Sequence, residues 1–295
     1  MLTSFRGKFA AGLLAALCSL PGAAQMPKSQ IWLAELEPAF HARPITDDGA
    51  YHNQPVVVDN GVYYTKEVIA GDTQQTDLFF YNFDEHATSN LTMSPESEYS
   101  PTLHPNGEGL STIVVESSGA QRLWFYPFDS NQPRQKVFEH IKPVGYHAWG
   151  ANQDLILFIL GANEHLPHTL QYTDARGHRP EIIAEDIGRT LTFNAARGVF
   201  GFSYLVNNQM WFATYQPSND HIERFFALPK QVQDYTWLDK NRIAYALDNR
   251  IYYRDLSAPK KVHLMSNLSS YCETNISRIS FQQQKLAFVC ASGAD

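Results

Sequence analysis

The stretch SPTLHPNGEGLSTIVV, Ser100 to Val115, sets an alternating apolar-polar run, a Pro-Asn-Gly turn and a β-branched apolar run side by side. Alternation, turn residues and a second apolar run together describe a β-hairpin rather than a helix or a catalytic loop. The pattern returns at QPVVVDNGVYYT from Gln54, YHAWGANQDLILFIL from Tyr146, TLTFNAARGVFGFSYL from Thr190, DYTWLDKNRIAYAL from Asp234 and RISFQQQKLAFV from Arg278. Successive starts lie 46, 46, 44, 44 and 44 residues apart. A period near 45 residues, carried by strands, is that of a propeller built from small antiparallel sheets.

A second motif follows each of the first five copies: TDLFFY at Thr76, QRLWFY at Gln121, HTLQYT at His168, NQMWFA at Asn208 and NRIYYR at Asn249. Its sixth instance is SQIWLAEL from Ser29, ahead of the first copy. That order predicts an all-β, six-bladed β-propeller whose last blade is closed by N-terminal strands, which leaves no open edge between first and last blades. Trp32, Phe79, Trp124, Trp211 and Tyr252 recur in the predicted third strand and are expected to pack between blades.

The first 24 residues differ in kind. Arg6 and Lys8 precede the apolar run FAAGLLAALCSL, then Pro21 and the small residues Gly22, Ala23 and Ala24. This is the order of a secretory signal peptide, and the run is well short of the roughly 20 residues a membrane-spanning helix needs. We expect residues 1–24 to be the signal peptide, cleaved near Ala24, and residues 25–295 to be a single propeller domain. Leu17 before Cys18 does not suit a lipidation box, so no lipid anchor is expected. Cleavage removes two cations and no anion, which takes the net charge from -7 to -9. So acidic a chain has no field to attract nucleic acid or an anionic membrane surface. Cys272 and Cys290 remain, an even pair in an oxidising compartment, and are expected to form a disulfide.

The run SPTLHPNG with the later QRLWFYPFD, and TDLFFYNFD after NQPVVVDNG, resembles the WD-like repeat of the TolB-like propeller family. The resemblance extends over residues 29 to 290; ANQD, AARG, DKNR and QQQK depart from the family's turn in the later blades. It implies a six-bladed propeller and, since members include periplasmic proteins that hold partners in the ring, a periplasmic or secreted binding protein. TolB carries an α/β domain ahead of its propeller, and this chain is expected to lack one.

Motifs for chemistry are sparse. GFSYL at Gly201 lacks the second glycine of a nucleophile elbow, and neither a phosphate-binding loop nor His-Glu-x-x-His occurs. No cofactor and no catalytic residue is expected. His165 and His168 in NEHLPH fall in a loop beside Pro167 and read as solvated side chains rather than metal ligands.

Inner-strand starts of a propeller face one mouth of its channel. Asn53, Gln54, Glu98, Tyr99, Ser100, Tyr146, His147, Arg189, Asp234 and Arg278 are therefore expected to ring that mouth. Arg189 and Arg278 in such a ring suit a carboxylate. The expected function is non-enzymatic capture of an envelope protein, a peptide or a small ligand. The alternative is a lactonase-like hydrolase with one calcium held by Asn53, Glu98, Asp234 and Asn275. A third is a structural subunit that uses a blade face.

Overall fold

The computed structural model describes residues 26–37, 40–71 and 73–291. The leader 1–24, Cys18 and the cleavage point near Ala24 lie outside the described residues.

Two strands, β1 (Ser29–Glu35) and β2 (His41–Pro44), precede the first complete blade. Blade one is β3 (His52–Val58), β4 (Gly61–Ala70), β5 (Thr73–Asn82) and β6 (Ala87–Asn90). Blade two is β7 (Ser97–Leu103), β8 (Gly109–Val115), β9 (Gln121–Pro127) and the short β10 (Gln135–Lys136). Blade three is β11 (Val144–Trp149), β12 (Leu155–Ile159), β13 (Thr169–Thr173) and β14 (Glu181–Glu185). Blade four is β15 (Thr192–Asn194), β16 (Val199–Val206), β17 (Gln209–Gln216) and β18 (His221–Ala227). Blade five is β19 (Tyr235–Trp237), β20 (Arg242–Leu247), β21 (Arg250–Asp255) and β22 (His263–Asn267). Blade six takes β23 (Ile276–Gln282) and β24 (Lys285–Ala291) from the C-terminal end and β1 and β2 from the other.

Each blade is a four-stranded antiparallel sheet, with β23-β24-β1-β2 as the closing one. The closure pairs Ser29 with Ala291 through to Glu35 with Lys285 in unbroken register. The predicted fold and its permuted closure are both present. Among the described residues the one helical element is the 3-10 turn Pro217–Asn219, so no helix is long and apolar enough to cross a membrane.

The apolar residues gather in six clusters rather than one core, because each sheet has two faces and a neighbour on either side. Ile31, Leu33, Val57, Tyr64 and Val289 fill the wedge between blades six and one. Phe200, Phe202, Tyr146 and Phe158 fill that between three and four, and Phe212, Phe226, Tyr235 and Tyr245 that between four and five. The recurrent third-strand aromatics meet the expectation in part, with Trp32, Phe79 and Tyr252 packed against inter-blade clusters. They are half-buried, and cations cover three of them: Lys66 lies over Phe79 at 5.0 Å, Arg134 over Trp124 at 5.0 Å and Arg224 over Trp211 at 4.8 Å. An aromatic face at the outer part of a blade meets water on one side, and a guanidinium or ammonium with an apolar stem covers it well.

The DNG and PNG turns look alike in sequence, yet their glycines act differently. Gly107 sits at φ +72° in its turn, with open space around it. Gly61 opens β4, and a Cβ there would lie 2.3 Å from both the Phe80 ring and the Tyr81 carbonyl oxygen. Its counterpart is Gly109, where a Cβ would lie 2.3 Å from the Tyr126 carbonyl oxygen. The two turns therefore align by the glycine that opens the second strand.

Cys272 and Cys290 are bonded, with their Cα atoms 5.7 Å apart. The bridge ties the loop after β22 to β24, inside the closing region. Leu33→Ala, at a side chain 1% exposed in the closing strand, is expected to lower unfolding free energy by about 2–5 kcal/mol. Urea denaturation followed by tryptophan fluorescence reads that change. Replacing Cys272 and Cys290 by serine is expected to cost about 3 kcal/mol on the chain-entropy account. Added reductant should bring the unmodified protein to the same midpoint.

Candidate functional site

The mouth where the inner strands begin is built from one or two residues of every blade, and an arginine organises it. Arg278, in β23 of blade six, donates through Nη1 to Asp234 Oδ2 of blade five at 3.1 Å and through Nη2 to the Tyr146 hydroxyl of blade three at 3.1 Å. Blades three and six face each other across the axis of a six-membered ring. The guanidinium therefore reaches across the channel. Its carbon also lies 5.4 Å from the Tyr146 ring centre. Burial opposes the charge on Arg278, but Tyr146 and Asp234 more than offset it, so its protonated form is held firmly.

Asp234 is saturated by its neighbours. Oδ1 accepts from the Ile279 amide at 3.0 Å, and Oδ2 accepts from the Thr190 hydroxyl at 3.1 Å besides Arg278. Tyr235, next along the chain, donates to the Thr190 carbonyl at 2.6 Å and so ties blade five to blade four.

Arg189 precedes β15 in blade four and reaches over blade five, where Nη2 donates to the Ser277 carbonyl of blade six at 2.8 Å. Among the described residues no carboxylate pairs with it, and its buried Nε has no hydrogen-bond partner. Burial, and then the like charge of Arg278, hold its pKa below the ordinary arginine range, with Asp234 opposing. A cavity of about 240 Å³ opens beside it. Arg189, Asp234, Gln231, Gln233, Asp248 and Asn275 supply its polar wall, and Leu247 and Ser277 adjoin them.

Blades one and two contribute through backbone geometry. Gln54 and Ser100 occupy equivalent positions at φ +55° and +56°, where the inner strands bulge out of register with their neighbours. The Gln54 side-chain oxygen accepts from the Ser100 amide at 2.8 Å and from the Thr65 hydroxyl at 2.9 Å. Asn53 Oδ1 in turn accepts from the Gln54 amide at 2.8 Å. The inner strands of these blades thus begin before the positions expected, since β3 starts at His52 and β7 at Ser97.

Tyr51, which the repeat alignment did not single out, belongs to this mouth. Burial raises its hydroxyl pKa to about 12, the charges of Arg278 and Arg189 oppose the rise, and Tyr99 and Tyr146 add to it. Its place one residue before β3 has no sequence signal of its own, because the bulge at Gln54 shifts which residue faces inward.

Two expected mouth residues point elsewhere. Glu98 is fully buried between blades one and two, where Ser94, Tyr126 at 2.9 Å and Thr92 at 3.3 Å bond its carboxyl group and Arg134 stands 3.6 Å away. His147 follows Tyr146 and so faces the opposite side of β11, where Nε2 meets the Ser111 hydroxyl of blade two at 2.6 Å. Strand alternation sends neighbours to opposite faces, so adjacency to a mouth residue does not bring a side chain to the mouth. The same geometry disperses the four ligands suggested for calcium: Glu98 is turned away, and Asp234 is occupied by Arg278, Thr190 and Ile279. Among the described residues no group of three or more acidic, histidine or cysteine side chains is placed to hold a metal ion. In the histidine loop, His165 is exposed as expected, whereas His168 is half-buried and accepts from the Gly161 amide at 3.0 Å.

Comparison with solved structures places this geometry among known propellers. A TolB-like protein from Agrobacterium tumefaciens superposes with a TM-score of 0.70 at 10% identity, over 91% of this chain and 99% of that one. TolB from Acinetobacter baumannii gives 0.60 at 9% identity, over 81% of this chain and 64% of that one. The acylaminoacyl peptidase of Pyrococcus horikoshii gives 0.53 at 13% identity, and this chain spans 42% of its length. At such identities the likeness is one of fold. No family profile and no curated protein matches the sequence.

Two buried groups tie stability to pH in opposite senses. Burial raises the Glu98 pKa from 4.5 to about 7. The folded state keeps that proton where the unfolded chain has lost it, so stability is greatest below pH 4.5 and falls as pH rises to 7. Glu98→Gln should therefore gain on the unmodified protein by about 3 kcal/mol between those limits, in denaturant midpoints taken across pH. Burial lowers His147 from 6.5 to about 3. Its contribution is lost as pH falls below 6.5, and His147→Gln should flatten the acid limb of the same curve.

Proposed function

We propose that the chain is a binding protein of the bacterial envelope that captures a protein or peptide partner at this mouth and performs no chemistry on it. The observation that supports the reading most is the charge arrangement. Arg278 and Asp234 pair with each other, whereas Arg189 sits half-buried beside the cavity with no carboxylate among the described residues within ion-pair distance, although Asp248 shares the cavity wall. A guanidinium held in a low-dielectric position without an ion partner favours an anionic group on the partner. The signal-like leader, the disulfide and the likeness to TolB structures all agree with a secreted or periplasmic location.

The lactonase-like alternative has less support, since its four calcium ligands are not assembled. A hydrolase reading draws only on the fold shared with a peptidase's propeller.

The test is affinity capture from envelope extract by the tagged mature chain. Replacing Arg189 and Arg278 by alanine is expected to abolish capture. Replacing Ile182 and Leu264, exposed on the outer strands β14 and β22, by aspartate should leave it intact. Capture that survives the arginine changes but fails with the aspartates would move the interface to a blade face. Thermal melts of each variant separate loss of binding from loss of fold, which matters for Arg278 because its removal leaves Asp234 buried without its ion partner.

A further inference from the structure

We infer that the cavity between blades five and six receives the free C-terminal carboxylate of a polypeptide, with Arg189 as its anchor. The inference rests on the mouth being the binding face and goes further, to the chemical group recognised and to the one arginine that recognises it.

The two arginines that the sequence offers together as carboxylate partners are not equivalent in space. Arg278 crosses the axis, has both terminal nitrogens engaged by Asp234 and Tyr146, and does not line the cavity. Arg189 does line it. Among the described residues its one hydrogen bond goes to a neutral carbonyl, that of Ser277, which leaves the planar fork short of the bidentate acceptor it suits best. An incoming carboxylate would offset both the burial of Arg189 and the repulsion from Arg278 that together disfavour its charge.

The remaining wall selects among carboxylates. Gln231, Gln233 and Asn275 are exposed at the rim, and each amide carries one acceptor and two donors. Asp248, held at φ +55° in the hairpin between β20 and β21, adds an acceptor. Such a rim matches the alternating N–H and C=O groups of a main chain, for which a simple monocarboxylic acid has no counterpart. Leu247 and Ile276 give a small apolar surface for a side chain. The volume of about 240 Å³ lies below the range of about 300–1,000 Å³ usual for pockets that enclose a whole ligand, and suits the end of a chain.

The wall is also held in place. Asn275, Ile276 and Ser277 lie three to five residues beyond Cys272, whose disulfide to Cys290 pins the loop to β24. The Ile276 amide donates to the Asp248 carbonyl at 2.9 Å, which joins the two sides of the cavity. A pocket fixed before binding loses little entropy when a flexible peptide end enters it.

The experiment is affinity-selection mass spectrometry on the full mature chain. The probe is a library of N-acetylated hexapeptides made once as free acids and once as C-terminal amides. Free acids are expected to be retained about tenfold or more over amides, the effect of losing hydrogen bonds to a charged group. Arg189→Ala should equalise the two sets, and Arg189→Lys should keep part of the preference. Free acetate at millimolar concentration should compete weakly with the acids. Equal retention of acids and amides, an acid preference that persists in Arg189→Ala, or retention of neither set would each overturn the inference. If that happens while capture of an envelope partner is still lost on mutating the arginine pair, the mouth remains the binding face and only the terminal-carboxylate reading falls. A thermal melt of Arg189→Ala matching the unmodified protein shows that the variant is folded. If it melts early, Arg189→Gln, which keeps side-chain length and a donor, takes its place.

Discussion

Everything in this molecule depends on the pairing of β1 with β24, where seven residues from one end of the chain meet seven from the other. A blade can bury its two faces only against two neighbours, so an open row of six would leave two apolar faces and an unpaired edge in water. The closing ladder removes both at once. It does so with Ile31 and Leu33 directed into the wedge with blade one, where Val57, Val62 and Tyr64 await them. The disulfide reinforces the same region from the other side.

Closure also creates the mouth. Inner strands that would be distant in an open array converge on one axis, and convergence lets Arg278 of blade six reach Tyr146 of blade three, 132 residues away. The axis is therefore occupied near the mouth by a charge-neutral bridge. A cavity lies off-axis between blades five and six. The cavity proposed to take the ligand lies beside this bridge, which belongs to the ring's own framework.

Glu98 and His147 show what buried polarity does between blades. Each was a plausible rim residue, and each lies inside a wedge with its hydrogen bonds made to the neighbouring sheet. A carboxyl group there costs less protonated and an imidazole costs less neutral. That is why their titrations oppose each other.

Period and order along the chain were enough to establish the all-β class, the six blades and the closure by strands near Ser29. These are properties of spacing, and a repeat of near-constant length prints spacing directly into sequence. The direction of individual side chains was a different matter. Bulges at Gln54 and Ser100 shift the alternation by one residue, bring Tyr51 inward and turn Glu98 away, and a one-residue shift leaves no trace in an apolar-polar pattern. Arg189 and Arg278 could be named from sequence as members of one ring. That Arg278 is committed across the axis while Arg189 stands beside open space follows only from the curvature that brings six blades together.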